Sequence, residues 1–256
     1  MHPEAAADLA ARLVRAARVT VLTGAGVSAA SGVPTFRGPD GLWRQYRPEI
    51  LATPEAFARD PRLVWEWYDW RRNLIARCRP NRAHDVLAAW SRRPGFTVIT
   101  QNVDGLHEVA GTRDLLRLHG SIWHVRCSAG CPAGAASWED TRVPMPEHPP
   151  RCPHCGDALR PDVVWFGEAL DPRIVRRAQA ATACDVFLAI GTSAVVYPAA
   201  GLLHEARARG AFTVEINVDA TEASEIVDLA VTAPADEALD AVAHLVERTD
   251  ATSGET

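Results

Sequence analysis

The chain has 256 residues, 47% hydrophobic and 23% charged, a formal net charge of -5 and no Lys, so all 27 basic residues are Arg. Without Lys there is no P-loop amine for a phosphate, no kinase Lys and no Schiff-base chemistry. An acidic balance with no dense Arg block argues against nucleic-acid or anionic-membrane binding, and the apolar fraction suffices for one large or two modest domains.

Residues 1–17 are amphipathic, with Glu4 and Asp8 and no continuous apolar run, unlike a secretory signal. Val19–Thr23 opens a series of short apolar or β-branched runs, followed by 97–100, 115–119, 186–192, Phe212–Asn217 and Leu229–Thr232. They are continuous rather than alternating, as expected of strands buried on both faces. Their alternation with helical stretches predicts an α/β fold with a doubly wound, Rossmann-like parallel sheet. The longest apolar stretch, 186–203, has the length of a membrane span, but Gly191, Thr192, Ser193 and Pro198 divide it into strand, turn and helix start. The expectation is a soluble, cytoplasmic protein.

Two segments do not fit that sheet. Residues 39–81 carry Trp43, Trp65, Trp67 and Trp70 and read as helical, with Trp65, Tyr68 and Arg72 on one face. Residues 123–160 are rich in Pro, Cys and Gly and lack periodicity. The expected division is therefore a sheet domain from 1–38, 82–122 and 161–248, and a smaller domain from a helical module (39–81) and a cysteine-bearing module (123–160). Residues 249–256 read as a frayed tail.

The strand ends carry the candidate chemistry. Val19–Thr23 runs into Gly24-Ala25-Gly26-Val27-Ser28, the second run into Gln101-Asn102-Val103-Asp104, and the third into His119-Gly120. The fourth ends at Gly191-Thr192-Ser193 and the fifth at Asn217. Ligands of open α/β sheets lie outside these ends, so five polar or Gly-rich clusters suit one large ligand across the sheet edge. The Gly-rich string has two readings: a pyrophosphate cradle at a helix N-terminus, or only a tight strand-to-helix turn. An acid about 20 residues on, which a dehydrogenase uses on the ribose, is missing: the region reads Gly41-Leu42-Trp43-Arg44-Gln45. Gln101, Asn102 and Asp104 also suit the cap of a helix starting near Val103.

Cys78 and Cys184 are isolated, whereas Cys127, Cys131, Cys152 and Cys155 form two close pairs separated by twenty residues. That spacing suits tetrahedral thiolate coordination of a closed, structural Zn²⁺, with His124, His148 and His154 as substitute ligands.

These strings, with Thr35-Phe36-Arg37-Gly38, Leu118-His119-Gly120-Ser121, Val164-Trp165-Phe166-Gly167-Glu168 and Ile216-Asn217-Val218-Asp219, resemble in order the sirtuin family of NAD-dependent protein-lysine deacylases. The resemblance spans about residues 17–243 and implies NAD as co-substrate and one structural zinc on the four Cys. It departs from the family's commoner Cys-x-x-Cys at Cys127-x-x-x-Cys131. It implies cofactor contacts from Gly24, Ala25, Gly26, Ser28, Thr35, Phe36, Arg37, Trp43, Gln101, Asn102, Asp104, Gly191, Thr192, Ser193, Asn217, Val218, Asp219 and Ala235. It further implies that His119 takes a proton from the cofactor ribose, that Asn102 is catalytic too and lies with Gln101 and Asp104 in the nicotinamide pocket, and that His107 stays outside the chemistry. Residues 164–168 match the segment that pairs with the backbone of acyl-lysine protein or peptide substrates as an added strand.

Tyr68 and Arg71, three residues apart on the predicted helix, project from neighbouring positions, where a phenol and an Arg fork can hold a carboxylate. By itself this is also an ordinary amphipathic helix. Tyr-x-x-Arg, with the small Ala52, resembles the sirtuins that remove succinyl, malonyl and glutaryl groups, and Arg72 is expected to face solvent or act structurally. The implied products are nicotinamide, free Lys and 2′-O-acyl-ADP-ribose. Mono-ADP-ribosyl transfer, deacetylation without an acidic preference and a non-enzymatic NAD-sensing role are the competing readings. An enzyme acting on acyl-lysine would here have no side-chain amine of its own to be acylated.

Overall fold

The computed structural model describes residues 1–35, 48–193 and 199–253. In chain order the strands are β1 (Val19–Thr23), β2 (Phe96–Thr100), β3 (Leu115–Arg117), β4 (Gly120–Cys127), β5 (Trp138–Glu139), β6 (Leu159–Val163), β7 (Val186–Ile190), β8 (Phe212–Asn217) and β9 (Leu229–Thr232). The helices are α1 (Pro3–Arg15), α2 (Pro48–Leu51), α3 (Pro54–Arg59), α4 (Pro61–Ile75), α5 (Arg82–Trp90), α6 (Leu106–Val109), α7 (Pro172–Ala181), α8 (Ala199–Ala208) and α9 (Ala235–Ser253).

Six strands form one parallel sheet in the order β3-β2-β1-β7-β8-β9. All five residues of β1 and of β7 are buried, which accounts for their unbroken apolar sequences. Val19, Val21, Val98, Leu188 and Ile190 face a core closed by α1, α5 and α9. Leu22, Ile99 and Phe187 face the opposite core, closed by α7 and α8. Helices thus cover both faces. The chain moves from β1 outward to β3, then returns to β7 on the other side of β1, placing the switch point between β1 and β7.

Strands β5-β4-β6 form a separate antiparallel sheet. Its core is shared with α3 and α4: Phe57, Val64, Trp65, Tyr68 and Ile75 pack with Ile122, Val125, Cys127, Cys152 and Leu159. Both helices begin where the sequence signals a start. Thr53 accepts the Ala56 N–H at 3.0 Å and Asp60 the Leu63 N–H at 2.9 Å, and each is followed by Pro at the first helical position.

Side chains suture α4 to this sheet. Trp65 Nε1 donates to the Leu159 carbonyl (2.6 Å), Arg72 Nε to the Ile122 carbonyl (2.8 Å), and Asp69 accepts the Met145 N–H (2.9 Å). Arg72 is fully buried and structural, with Asp140 3.7 Å away. Among the described residues, no helix is long and apolar enough to cross a membrane.

Candidate active site and metal centre

The strand ends and the small domain enclose a cleft of about 1210 Å³. Among its lining residues are Gly24, Ala25, Gly26, Thr35, Gln101, Asn102, Asp104, Gly191, Thr192, Ser193, Asn217, Val218 and Asp219. Ala52, Tyr68, Arg71, His119 and the five residues Val164, Trp165, Phe166, Gly167 and Glu168 also line it. Phe36, Arg37 and Trp43 lie outside the described residues. Ala235 does not line the cleft; it begins α9 and packs in the core behind it.

The Gly-rich loop is first a packing device. A Cβ on Gly24 would stand 2.7 Å from the Gly191 carbonyl oxygen, and one on Gly26 2.7 Å from the Gly191 Cα. The N–H groups of Gly24 and Gly26 donate to the Ile190 and Gly191 carbonyls at 3.0 and 2.9 Å. Residues Ala25–Ser31 form a 3-10 turn rather than an α-helix. The glycines therefore let the ends of β1 and β7 meet at the switch point, and their own N–H groups are already used. A pyrophosphate there would rely on neighbouring groups.

Behind the cleft lies a buried polar layer. Ser28 is fully buried and donates to Asp104 Oδ2 at 2.8 Å, while Asn102 Nδ2 donates to the Gly24 carbonyl at 3.0 Å. Burial raises the Asp104 pKa, against the Leu106 and Ser28 hydrogen bonds that lower it. Asp104 also accepts the N–H of Leu106, the first residue of α6, at 2.9 Å, and lines the cleft at once; the N-cap of that helix is Gly105. Gln101 Nε2 donates to Thr192 Oγ1 (2.8 Å) and Asn217 Nδ2 to the Thr192 carbonyl (3.0 Å), tying the ends of β2, β7 and β8 together.

His107 is part of this layer and not of the cleft. It is 1% exposed, with Nε2 3.0 Å from Thr23 Oγ1, and its ring meets that of His84 at 4.9 Å. Burial pushes His107 down to about 3 and His84 down to about 4, from an ordinary value of 6.5. Both stay neutral in the fold, so between pH 6.5 and those values the unfolded chain binds more protons and stability falls on acidification. At pH 5 each is expected to cost about 2 kcal/mol. Thermal unfolding of His107→Asn should lose less stability between pH 7 and pH 5 than the parent chain; equal losses would refute this.

His119 sits where the chain crosses between sheets, after β3 and before β4. Its Nδ1 lies 3.0 Å from the Gln101 carbonyl, and its own carbonyl accepts the Val164 N–H at 3.0 Å. A carbonyl can only accept, so the neutral ring carries its hydrogen on Nδ1 and keeps a lone pair on Nε2. Burial lowers the His119 pKa below 6.5, the Gln101 hydrogen bond opposing it.

Tyr68, which also lines the cleft, is fully buried, and Arg71 is 7% exposed. The Arg71 guanidinium lies 4.9 Å from the Trp67 ring centroid and 5.6 Å from that of Tyr68. Burial raises the Tyr68 pKa, opposed first by the Arg71 charge, and lowers that of Arg71. The phenol is therefore a hydroxyl, while Arg retains its charge throughout the ordinary pH range.

In the segment after β6, the N–H groups of Val164, Trp165, Phe166 and Glu168 already bond to His119 O, Glu168 Oε2, Ala52 O and Trp165 O. A peptide strand added here must use the segment's carbonyls and Gly167. Trp67, Trp70, Leu74 and Ile75 also line the cleft and were not singled out from the sequence. Helical spacing from Tyr68 and Arg71 carries the signal, since three or four residues on lie Leu74 and Ile75. Arg176 of α7 lines the cleft with no sequence signal to mark it.

The four Sγ atoms of Cys127, Cys131, Cys152 and Cys155 lie within 4.8 Å of one another. Cys127 and Cys155 are 3.5 Å apart and Cys131 and Cys152 3.8 Å, against about 3.8 Å for thiolates tetrahedral about Zn²⁺. A Cβ on Gly134 would reach Cys131 Sγ at 2.8 Å and Cys152 Sγ at 3.0 Å, so this residue closes the cradle. The longer first pair is absorbed by a turn through Gly130, at φ 64°, with Cys127 donating its N–H to the Gly134 carbonyl at 2.9 Å. His124, His148 and His154 are not in the cluster. Four thiolates fit a structural Zn²⁺ and leave no open position for catalysis.

A model of the Sir2 family matches residues 24–198. The chain is 51% identical over 213 residues to the NAD-dependent protein deacylase of Aquifex aeolicus, covering 82% of this chain and 87% of that protein. It is 49% identical over 243 residues to NAD-dependent protein deacylase 2 of Pyrobaculum aerophilum, covering 94% and 96%. Among solved structures, a Sir2 homologue in complex with NAD aligns with a TM-score of 0.87 at 44% identity, covering 94% of both chains.

Proposed function

The chain belongs to the Sir2 family, and on that footing we propose that it is an NAD-dependent protein-lysine deacylase that favours acyl groups ending in a carboxylate. NAD, when bound, supplies an activated nicotinamide–ribose bond and the ribose that receives the acyl group. The residues of the chain do the rest. Nε2 of His119 holds the lone pair that takes a ribose hydroxyl proton, with Nδ1 fixed on the Gln101 carbonyl. Asn102 and Asp104, held by Gly24 and Ser28, present polar groups at the nicotinamide end. The segment 164–168 and Ala52 bracket the acyl-lysine stem.

One observation carries the acidic preference: a buried guanidinium and a buried phenol stand together on the cleft wall. A terminal carboxylate accepts from both and offsets the cost of a buried cation; an acetyl methyl does neither. Arg71→Met is expected to lower kcat/KM for a succinyl-lysine peptide about 10- to 100-fold more than for the acetyl-lysine peptide of identical sequence. Equal losses on the two peptides would overturn the preference. Products weighed by mass spectrometry separate deacylation, which yields free Lys and 2′-O-acyl-ADP-ribose, from transfer of ADP-ribose to a protein side chain.

A further inference from the structure

Trp165 lies in the substrate-pairing segment, yet its side chain turns away from any strand-pairing task. The indole is 2% exposed, and its Nε1–H donates to Tyr68 Oη at 2.9 Å. Three further contacts hold the ring in that pose. The Arg160 guanidinium stacks on it at 3.5 Å, Phe57 packs against it at 5.3 Å, and its backbone N–H donates to Glu168 Oε2 at 2.9 Å. Arg160 in turn grips both Glu168 oxygens, at 2.6 and 2.8 Å.

An indole nitrogen only donates, so Tyr68 accepts on this side and its own hydrogen must be donated elsewhere. Accepting one hydrogen bond also polarises the phenol O–H and strengthens it as a donor. We propose that Trp165 is a specificity-determining positioning residue: its indole N–H orients the Tyr68 hydroxyl to donate to the carboxylate of an acidic acyl group beside Arg71. This rests on the acidic-acyl reading above and adds to it a residue that acts through Tyr68. A Phe at this position would fill most of the space but would leave the phenol free to turn.

The test is the ratio of kcat/KM for succinyl-lysine to acetyl-lysine peptides of identical sequence. Any loss shared by both substrates reflects the strand-pairing segment and cancels in the ratio. Trp165→Phe should lower the ratio about fivefold, through KM for the succinyl peptide. In a Tyr68→Phe background the same substitution should leave the ratio where Tyr68→Phe puts it. If Trp165→Phe does not fold, judged by melting temperature and zinc content, a benzothienyl-alanine at 165 keeps the bicyclic ring without the N–H and should give the same fall.

An unchanged ratio, or an equal fall in the Tyr68→Phe background, overturns the role of Trp165. Arg71→Met distinguishes the two levels. If it lowers the ratio while the Trp165 variants do not, only the positioning role fails. If it leaves the ratio unchanged, the acidic-acyl reading fails and this inference with it.

Discussion

His119→Ala is expected to lower kcat/KM by about 10²- to 10⁴-fold on acetyl- and succinyl-lysine peptides alike, the range of a positioned general base. The loss is expected to be common to both because the proposed proton transfer from the ribose is the same step for either acyl group. Zinc content and melting temperature should stay close to those of the parent chain. The side chain is half-buried, and among the described residues its one hydrogen bond is to the Gln101 carbonyl. A variant that kept full turnover, or lost only one of the two acyl activities, would falsify the assignment of His119 as the base.

The same group sets the acid limb of the pH profile. Burial holds its pKa under 6.5, so the base is already neutral at pH 7. The acid limb of activity should lie below the ordinary imidazole range, activity falling only as the pH drops through the lowered His119 value. A limb centred well above pH 7 would mean that another group supplies the base. His107 and His84 lie lower still, buried behind the wall, so their titration should appear in stability and not in turnover.

The strands were legible because β1, β2, β7 and β8 are buried on both faces, and such strands cannot hide their apolar runs among polar residues. The site was legible where strand ends carry unusual residues: His119, Asn102, Asp104 and Gly191 all lie beyond a strand terminus. The role of the Gly-rich string was not. A sequence shows that Gly24 and Gly26 lack side chains; it does not show that Gly191 comes within van der Waals contact from a strand some 165 residues later. Arg72 and Arg71, adjacent on one helix, were told apart only by the resemblance; of the two readings left for Arg72, solvent-facing or structural, the burial of its guanidinium on the Ile122 carbonyl selects the structural one, while Arg71 lines the cleft. Trp165 is the sharpest case, since its N–H meets a hydroxyl 97 positions away.

Cys152→Ser should remove bound zinc and with it the small domain, a larger structural effect than any other single change considered. Cys152 is 2% exposed and belongs to the core that Trp65, Tyr68 and Leu159 also form. Structural zinc sites of this kind contribute about 10–16 kcal/mol of apparent binding energy, more than the whole stability of many domains. The loss would pass to the acyl pocket by a definite route. Helix α4 hangs on this module through Trp65 to Leu159, Arg72 to Ile122 and Asp69 to Met145. Releasing those three contacts displaces Tyr68 and Arg71, whereas the six-stranded sheet keeps its own two cores. The variant is therefore expected to hold far less than one zinc per chain by mass spectrometry of the native protein, and to lose acyl-peptide binding more than NAD binding. Full zinc occupancy with an unchanged melting temperature would show that Cys152 is not a ligand. Equal losses of peptide and NAD binding would show that the two domains do not stand independently.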